Sequence, residues 1–230
     1  MIRNFRENSN DDRVGLYVGT YKKYNNGSLF GKWMYPADYD SLEDFLDACR
    51  KVHKDEKDPE LMFQDCDNLP SSLYSEYGFS QEAFDYAKYI DENYSNSEAA
   101  EAYINLFNTW DEDDFDDRYV GQFDSNEDFA WDFIEQCGGI ENGVSHPEDY
   151  FDYESFGRDL SFDMDDEEDE HYLSMSDSER GEAWVEDVYG SVEDMINSGV
   201  DIENYFDIEK FARDLMYDYS EDNGYYFNNY

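Results

Sequence analysis

Positive charge is what this sequence has least of: sixteen Lys and Arg stand against sixty Asp and Glu in 230 residues, a formal charge of −44. Packing like charges together raises the free energy of the compact state and repels other polyanions, which argues against direct binding to nucleic acid or to an anionic membrane surface. Long apolar runs are missing too. No stretch reaches the roughly 18 residues needed to cross a bilayer, and MIRNFRENSNDDR has no apolar signal-peptide core. The three cysteines, Cys49, Cys66 and Cys137, form no CxxC pair, so they suggest neither a disulfide framework nor a zinc site. A reducing cytoplasm is the expected location. Large apolar residues other than Tyr and Trp are scarce as well: Leu, Ile, Val and Phe total 45, just under the roughly one-fifth level at which a highly charged chain is expected to be disordered.

Aromatic rings make up the difference. There are 22 Tyr and 4 Trp, and each such ring can bury about 150–250 Å² while keeping one polar atom wet. The chain is therefore expected to fold around thin aromatic cores, as an elongated series of small α+β domains with short antiparallel sheets and acidic amphipathic helices. NTWDEDDFDDRYVGQFDSNEDF, from Asn108 to Phe129, shows the pattern, with rings and acids alternating along the chain. The aromatic side makes a core and the acidic side a coat.

The segments follow from local signals. After a loose tail over 1–12, VGLYVGT and LFGKWM predict two strands of a hairpin around Asn25–Ser28, opening an α+β domain over 13–60. Leu42, Phe45, Leu46 and Cys49 then share one helix face, with Asp40 or Ser41 as N-cap and Glu43, Asp44 and Asp47 pointing outward. A central, mainly helical domain is expected over 61–118. It begins with a strand in LMFQDCDNLP and continues with a helix burying Phe84, Ala87 and Ile90 and exposing Glu82, Asp85, Asp91 and Glu92. A second helix buries Ala100, Tyr103, Ile104, Phe107 and Trp110 and exposes Glu98 and Glu101. The run Asp111, Glu112, Asp113, Asp114, Asp116 and Asp117 follows. Ser125 and its neighbours read as a capping box for a helix that buries Phe129, Phe133 and Ile134 and exposes Glu127, Asp128, Asp132 and Glu135.

An internal repeat organises the rest. YFDYESFGRDLSFDM (Tyr150–Met164) and YFDIEKFARDLMYDY (Tyr205–Tyr219) align without a gap, and FDSNEDFAWDF resembles MSDSERGEAWVED upstream. Two related units are expected, over 119–164 and 175–230, joined by an acidic linker over 165–174 that contains DDEEDE. Asp152 and Asp207 should cap equivalent short helices. Arg158 and Arg213 recur at the same place, where an ion pair with a neighbouring acid is expected.

No catalytic constellation emerges. Sixty carboxylates generate pairs everywhere, and spacing singles out none with the split environments that two-carboxylate hydrolysis needs. The acids from Asp111 fail the EF-hand pattern, because Phe115 stands at its fifth position and Asp116 at its sixth. His53, His146 and His171 are scattered, and GSLFGKW misses the phosphate-loop spacing. Neither a metal nor a cofactor is expected.

The coat itself is then the candidate functional feature. Duplex DNA carries one negative charge per roughly 1.7 Å, so a charge of −44 corresponds to about 75 Å of duplex, on the order of 22 base pairs. The residues also resemble a family. VGLYVGTYKKYNNGSLFGKWM, LMFQDCDNLP, SSLYSEYGFS, FDSNEDFAWDFIEQCGG and YFDYESFGRDL are similar, in order, to the ArdA antirestriction proteins, acidic inhibitors of type I restriction-modification enzymes carried by mobile elements and phages. This resemblance implies three small domains forming a curved, dimeric mimic of bent duplex DNA in the groove of the methyltransferase core and specificity subunit. It further implies a dimer contact within Ile134–Asp149, through Ile134, Cys137, Ile140 and Val144. The second FxxExFxRDL unit is additional to the family's length. Other readings are an acidic decoy for basic proteins, a DNA mimic aimed at another defence nuclease such as a CRISPR effector, and an unrecognised hydrolase.

Overall fold

The computed structural model describes residues 13–164 and 169–230. It divides them into two compact units, one running to Gly121 and completed by Ser220–Tyr230, the other Gln122–Tyr219. The expected tail over 1–12 and residues 165–168 of the expected linker lie outside the described residues. Segments 13–60 and 61–118 share the first unit and one core, while 175–230 divides at Ser220.

Unit one opens with β1 (Gly15–Thr20), α1 (Tyr21–Asn25), β2 (Lys32–Met34), α2 (Leu42–Val52) and β3 (Leu61–Asp67). β1 is the middle strand, antiparallel to both neighbours, with Leu16 opposite Met34 on one side and Cys66 on the other. Being central, it buries Leu16 and Val18 almost completely, as it does Val14 just before it. The expected hairpin pairs as read, but its connection is not a tight turn. The Thr20 hydroxyl accepts from the Lys23 N–H at 3.3 Å and caps α1, and Gly27, at φ 81°, turns the chain back only after that. The cap competes with the turn chemistry of Asn25–Ser28 and wins, so β2 is short.

Ser41 caps α2 and Ser80 caps α3 (Gln81–Glu92). α4 (Ser97–Phe107), α5 (Glu112–Arg118) and β4 (Tyr119–Gln122) follow. Their rings pack around Trp110, which lies between α4 and α5: its ring is 4.8 Å from Tyr89 and 5.4 Å from Phe115, with Tyr103 5.7 Å from Phe115.

Unit two contains α6 (Asn126–Cys137), α7 (Ile140–Gly143), α8 (Tyr153–Asp163), α9 (Glu170–Leu173), α10 (Asp177–Val188), α11 (Val192–Asn197) and α12 (Ile208–Leu215). The chain returns along β5 (Tyr219–Asp222) and β6 (Tyr225–Asn228), the latter central in a β4-β6-β5 sheet. Asn223 and Gly224, at φ 53° and 82°, form the two-residue turn between them, the conformation that Asn-Gly favours. Twelve helices and two three-stranded sheets among the described residues make this an α+β fold, as the sequence implies.

The two repeat copies interlock within unit two. Asp152 N–H donates to the Tyr205 carbonyl and Asp207 N–H to the Tyr150 carbonyl, both at 2.7 Å, around an antiparallel bridge between Phe151 and Phe206. Their capping roles hold: Asp152 accepts from Ser155 N–H and Asp207 from Lys210 N–H, each at 2.9 Å. The last helix of each copy packs on the first helix of the other, α8 on α10 and α12 on α6. Small residues permit both contacts. Gly157 meets Gly181 at the first, and fully buried Ala130 and Ala212 lie in the helices of the second.

The buried Arg180 fastens this arrangement. Its guanidinium donates to the Gly157 carbonyl at 2.8 Å, to the carbonyls of Met175 and Tyr172 at 3.0 and 3.1 Å, and to the Asp177 carboxylate at 2.7 Å. The described part of the expected linker is thus packed, with α9 placing Tyr172 5.2 Å from Trp184. Ser125 caps α6 through the Asp128 N–H, while the full reciprocal box occurs at Ser176 and Glu179.

A methyl group at Gly157 would run into the Asp177 carbonyl oxygen and lie 2.7 Å from the Gly181 nitrogen, both backbone atoms. Gly157→Ala should therefore destabilise the protein by roughly 1–3 kcal/mol. Gly78→Ala, where nothing stands within 4 Å, should stay within about 0.5 kcal/mol. Thermal unfolding of the two variants beside the parent checks both.

An acidic surface as the candidate functional site

Most acids on these helices lie opposite the rings that face the core. Glu43, Asp44, Asp47, Asp85, Asp91, Glu92, Glu98, Glu101, Asp111, Glu112, Asp113, Asp116, Asp117, Asp128 and Glu135 are exposed. Glu82, Asp114, Glu127 and Asp132 are half-buried. Some of these carboxylates also hold the fold. Glu82 accepts from the Thr109 hydroxyl at 2.9 Å and the Trp110 N–H at 2.6 Å, and Asp111 caps α5 through the Asp114 N–H. Asp114 accepts from the Arg118 Nε–H at 2.7 Å and from the hydroxyl of the buried Tyr103. Sequence pattern marks Glu82 and Asp114 only as two more acids, and nothing in their spacing signals the difference.

Acids converge where α3 meets α5. Partial desolvation raises the pKa of Glu112, and the fields of Asp116, Asp113, Glu92 and Asp85 raise it further. Asp114 is shifted the opposite way, held below the usual carboxylate range by its hydrogen bonds from Arg118 and Tyr103.

Cations do little to neutralise this coat: residues 61–230 carry six Lys and Arg against 48 acids, and four of the six also donate to backbone carbonyls. Lys88 donates to the carbonyls of Ala37 and Tyr39, Arg118 to Asn228, Lys210 to Asp149, and Arg180 to three carbonyls. Among the described residues of that region, the Arg and Lys ion pairs are Arg118–Asp114, Arg180–Asp177 and an exposed Arg158–Asp159 contact at 3.5 Å. The ion pair expected at Arg158 is present; its repeat equivalent Arg213 has no acid within pairing distance among the described residues.

Of the four residues expected at a dimer contact, Ile134, Ile140 and Val144 are buried in the core of unit two, and Cys137 is exposed. A second polar cluster lies in unit one. Fully buried His53 donates from Nε2 to the Val18 carbonyl at 3.2 Å, leaving Nδ1 to accept from Lys23 Nζ at 3.0 Å. Burial pushes the His53 pKa down. Glu56 accepts from the Thr20 hydroxyl at 2.7 Å, which lowers its pKa, and lies 3.3 Å from Lys23. This cluster is saturated by its own members and ties α2 to β1. Among the described residues no group of three His, Cys, Asp or Glu side chains is arranged to hold a metal, and no helix is long and apolar enough to cross a membrane.

Fold and surface together define a class: an acidic α+β protein with carboxylates exposed along its helices. The family model of the antirestriction protein ArdA matches residues 16–171, about two-thirds of the chain, and this protein belongs to that family. No match is found among curated proteins or among solved structures. Its function is antirestriction.

Two substitutions separate structural from surface acids. Asp114→Ala leaves the Tyr103 hydroxyl without its acceptor and should destabilise by about 1–3 kcal/mol near neutral pH. Its contribution exists above the unfolded carboxylate pKa and is lost as pH falls through the depressed folded value. Glu112→Gln should instead stabilise by roughly 0.2–0.5 kcal/mol at neutral pH by removing like-charge repulsion. That gain should fade as pH falls through the raised pKa of Glu112 toward its unfolded value. Chemical denaturation at pH 7 and pH 4 reads both.

Proposed function

We propose that this protein mimics bent duplex DNA and occupies the DNA-binding groove of type I restriction-modification enzymes, at the methyltransferase core and specificity subunit. Incoming mobile-element or phage DNA is thereby protected. The observation that carries this reading is the unneutralised coat: carboxylates held outward on helices while the cations of the same region bind carbonyls. A groove built to collect phosphates meets a comparable density of fixed negative charge, and counterions are released from the acidic surface much as from DNA. Family membership supports the restriction enzyme as the kind of target.

A competition titration tests the mechanism. Labelled duplex is displaced from a purified type I methyltransferase core at two salt concentrations, with a generic basic protein as control. Displacement selective for the enzyme is the expected result, whereas binding only to the basic control would favour an acidic decoy. Because Asp111 and Asp114 hold the fold, the informative cluster is Glu112, Asp113, Asp116 and Asp117. Neutralising these four as amides should weaken displacement by roughly tenfold, at about 0.3 kcal/mol or more per exposed charge. Single neutralisations should change it by less than about threefold. Full activity of the quadruple variant would remove α5 from the interface.

A further inference from the structure

The acidic charge is not spread evenly along the chain. Residues 13–60 carry eight Lys and Arg against nine acids, whereas residues 61–230 carry six against 48. The first segment is nearly neutral in an otherwise polyanionic protein. It also presents apolar side chains to solvent: Leu29 is 62% exposed, Phe30 54% and Tyr24 48%. Lys22, Lys54 and Lys57 are exposed in the same segment, the last two beside exposed Asp55 and Asp58.

These apolar groups are held in place. The Tyr17 hydroxyl donates to the Leu29 carbonyl at 3.1 Å, and the Phe30 N–H donates to the Ser28 hydroxyl at 3.2 Å. The Phe30 ring stands edge-on to buried His53 at 5.7 Å, with the Lys23 ammonium 5.1 Å from its centroid. Lys23 in turn bonds Asp55 at 2.8 Å, joining this loop to the turn that carries Lys54 and Lys57. At Gly31 a Cβ would come 2.6 Å from the Val18 carbonyl, so the backbone lies hard against β1. Ordered exposed rings flanked by cations suit a protein surface, where aromatic anchors contribute most of the affinity at little entropic cost.

We infer that the face formed by Tyr24, Leu29, Phe30, Lys22, Lys54 and Lys57 is a second contact surface, which docks on an apolar, carboxylate-bearing surface of the restriction enzyme outside its DNA channel. The inference rests on the proposed DNA-mimic function. A positively charged channel gains little from a segment whose charges nearly cancel, while an apolar surface that carries carboxylates can take the exposed side chains of Leu29 and Phe30 and pair with Lys54 and Lys57. The mimic is then confined to the acidic remainder, and this face fixes where along the channel it sits.

The test uses the full chain and the purified type I enzyme, with binding measured at two salt concentrations. Leu29→Ser with Phe30→Ser should weaken binding about tenfold and leave the salt dependence unchanged. Lys54→Glu with Lys57→Glu gives the opposite prediction from a mimic-only surface. It replaces two positive charges with two negative ones, a net change of −4, which would tighten binding if this segment lay in the channel, and should weaken it about tenfold if the segment meets carboxylates. Unchanged thermal unfolding of the charge variant, whose side chains are exposed, keeps that result free of folding effects. Parental binding with both variants equal to or tighter than the parent overturns the second surface and leaves the mimic intact. Absence of binding by the parent overturns the mimic reading and this inference with it.

Discussion

Like-charge repulsion is the constraint on which the rest of this structure depends. A net charge of −44 opposes every compact arrangement of the chain, so the attraction must come from elements that bring no further charge. Aromatic rings meet that need. Tyr89, Tyr103, Trp110, Phe115 and Phe227 pack as one cluster whose ring contacts replace the aliphatic core the sequence cannot supply. The tyrosines among them are buried yet reach a polar partner at the edge, as Tyr103 does at Asp114. A phenylalanine there would bury as much surface and leave Arg118 as the only donor to that carboxylate.

The acids are placed where the backbone tolerates them. α2 begins with Glu43 and Asp44, α5 with Glu112, Asp113 and Asp114, α6 with Glu127 and Asp128, and α11 with Glu193 and Asp194. Carboxylates in a first turn face the positive end of the helix dipole, so part of the coat stabilises the helix that carries it. Serine or aspartate caps at Ser41, Asp111, Ser125 and Ser191 satisfy the free N–H groups at the same ends. Two cations of unit two, Lys210 and Arg180, are turned to backbone carbonyls, with Arg180 as the fullest case.

Much of this is written in local sequence. The faces of α2, α3 and α4, the caps at Asp152 and Asp207, and most of the outward acids follow from spacing, because an amphipathic helix has one way to bury its rings; for α2, spacing leaves Asp40 and Ser41 as cap, and the structure has Ser41. What spacing misses is long-range. Nothing near Arg180 indicates that its partners include Gly157, and Glu82 is set apart from other acids only by the approach of Thr109 and Trp110. The Asn223-Gly224 hairpin is a local signal, but its place beside β4 closes a sheet across about a hundred residues, which no window of sequence reveals. The charge contrast between 13–60 and the rest is visible in sequence as well; the ordered exposure of Leu29 and Phe30 is what gives it meaning.

The duplication shows most plainly how sequence similarity and structural role diverge. Two matching segments suggest two units side by side, each complete, yet α8 of the first copy lies on α10 of the second and α12 returns to α6. Phe151 and Phe156 are covered in part by Tyr205, and Phe206 and Phe211 by Tyr150, so each copy supplies the other's core. The match to the family ends at residue 171, before α10 begins. The last long helix inside the matched region is therefore buried by residues outside it, and Gly157 can lie against a neighbouring backbone only because Gly181 stands opposite. In this chain the second copy is a condition for the first copy's packing, and the acids that α8 carries are held in place by a segment beyond the part that identifies the family.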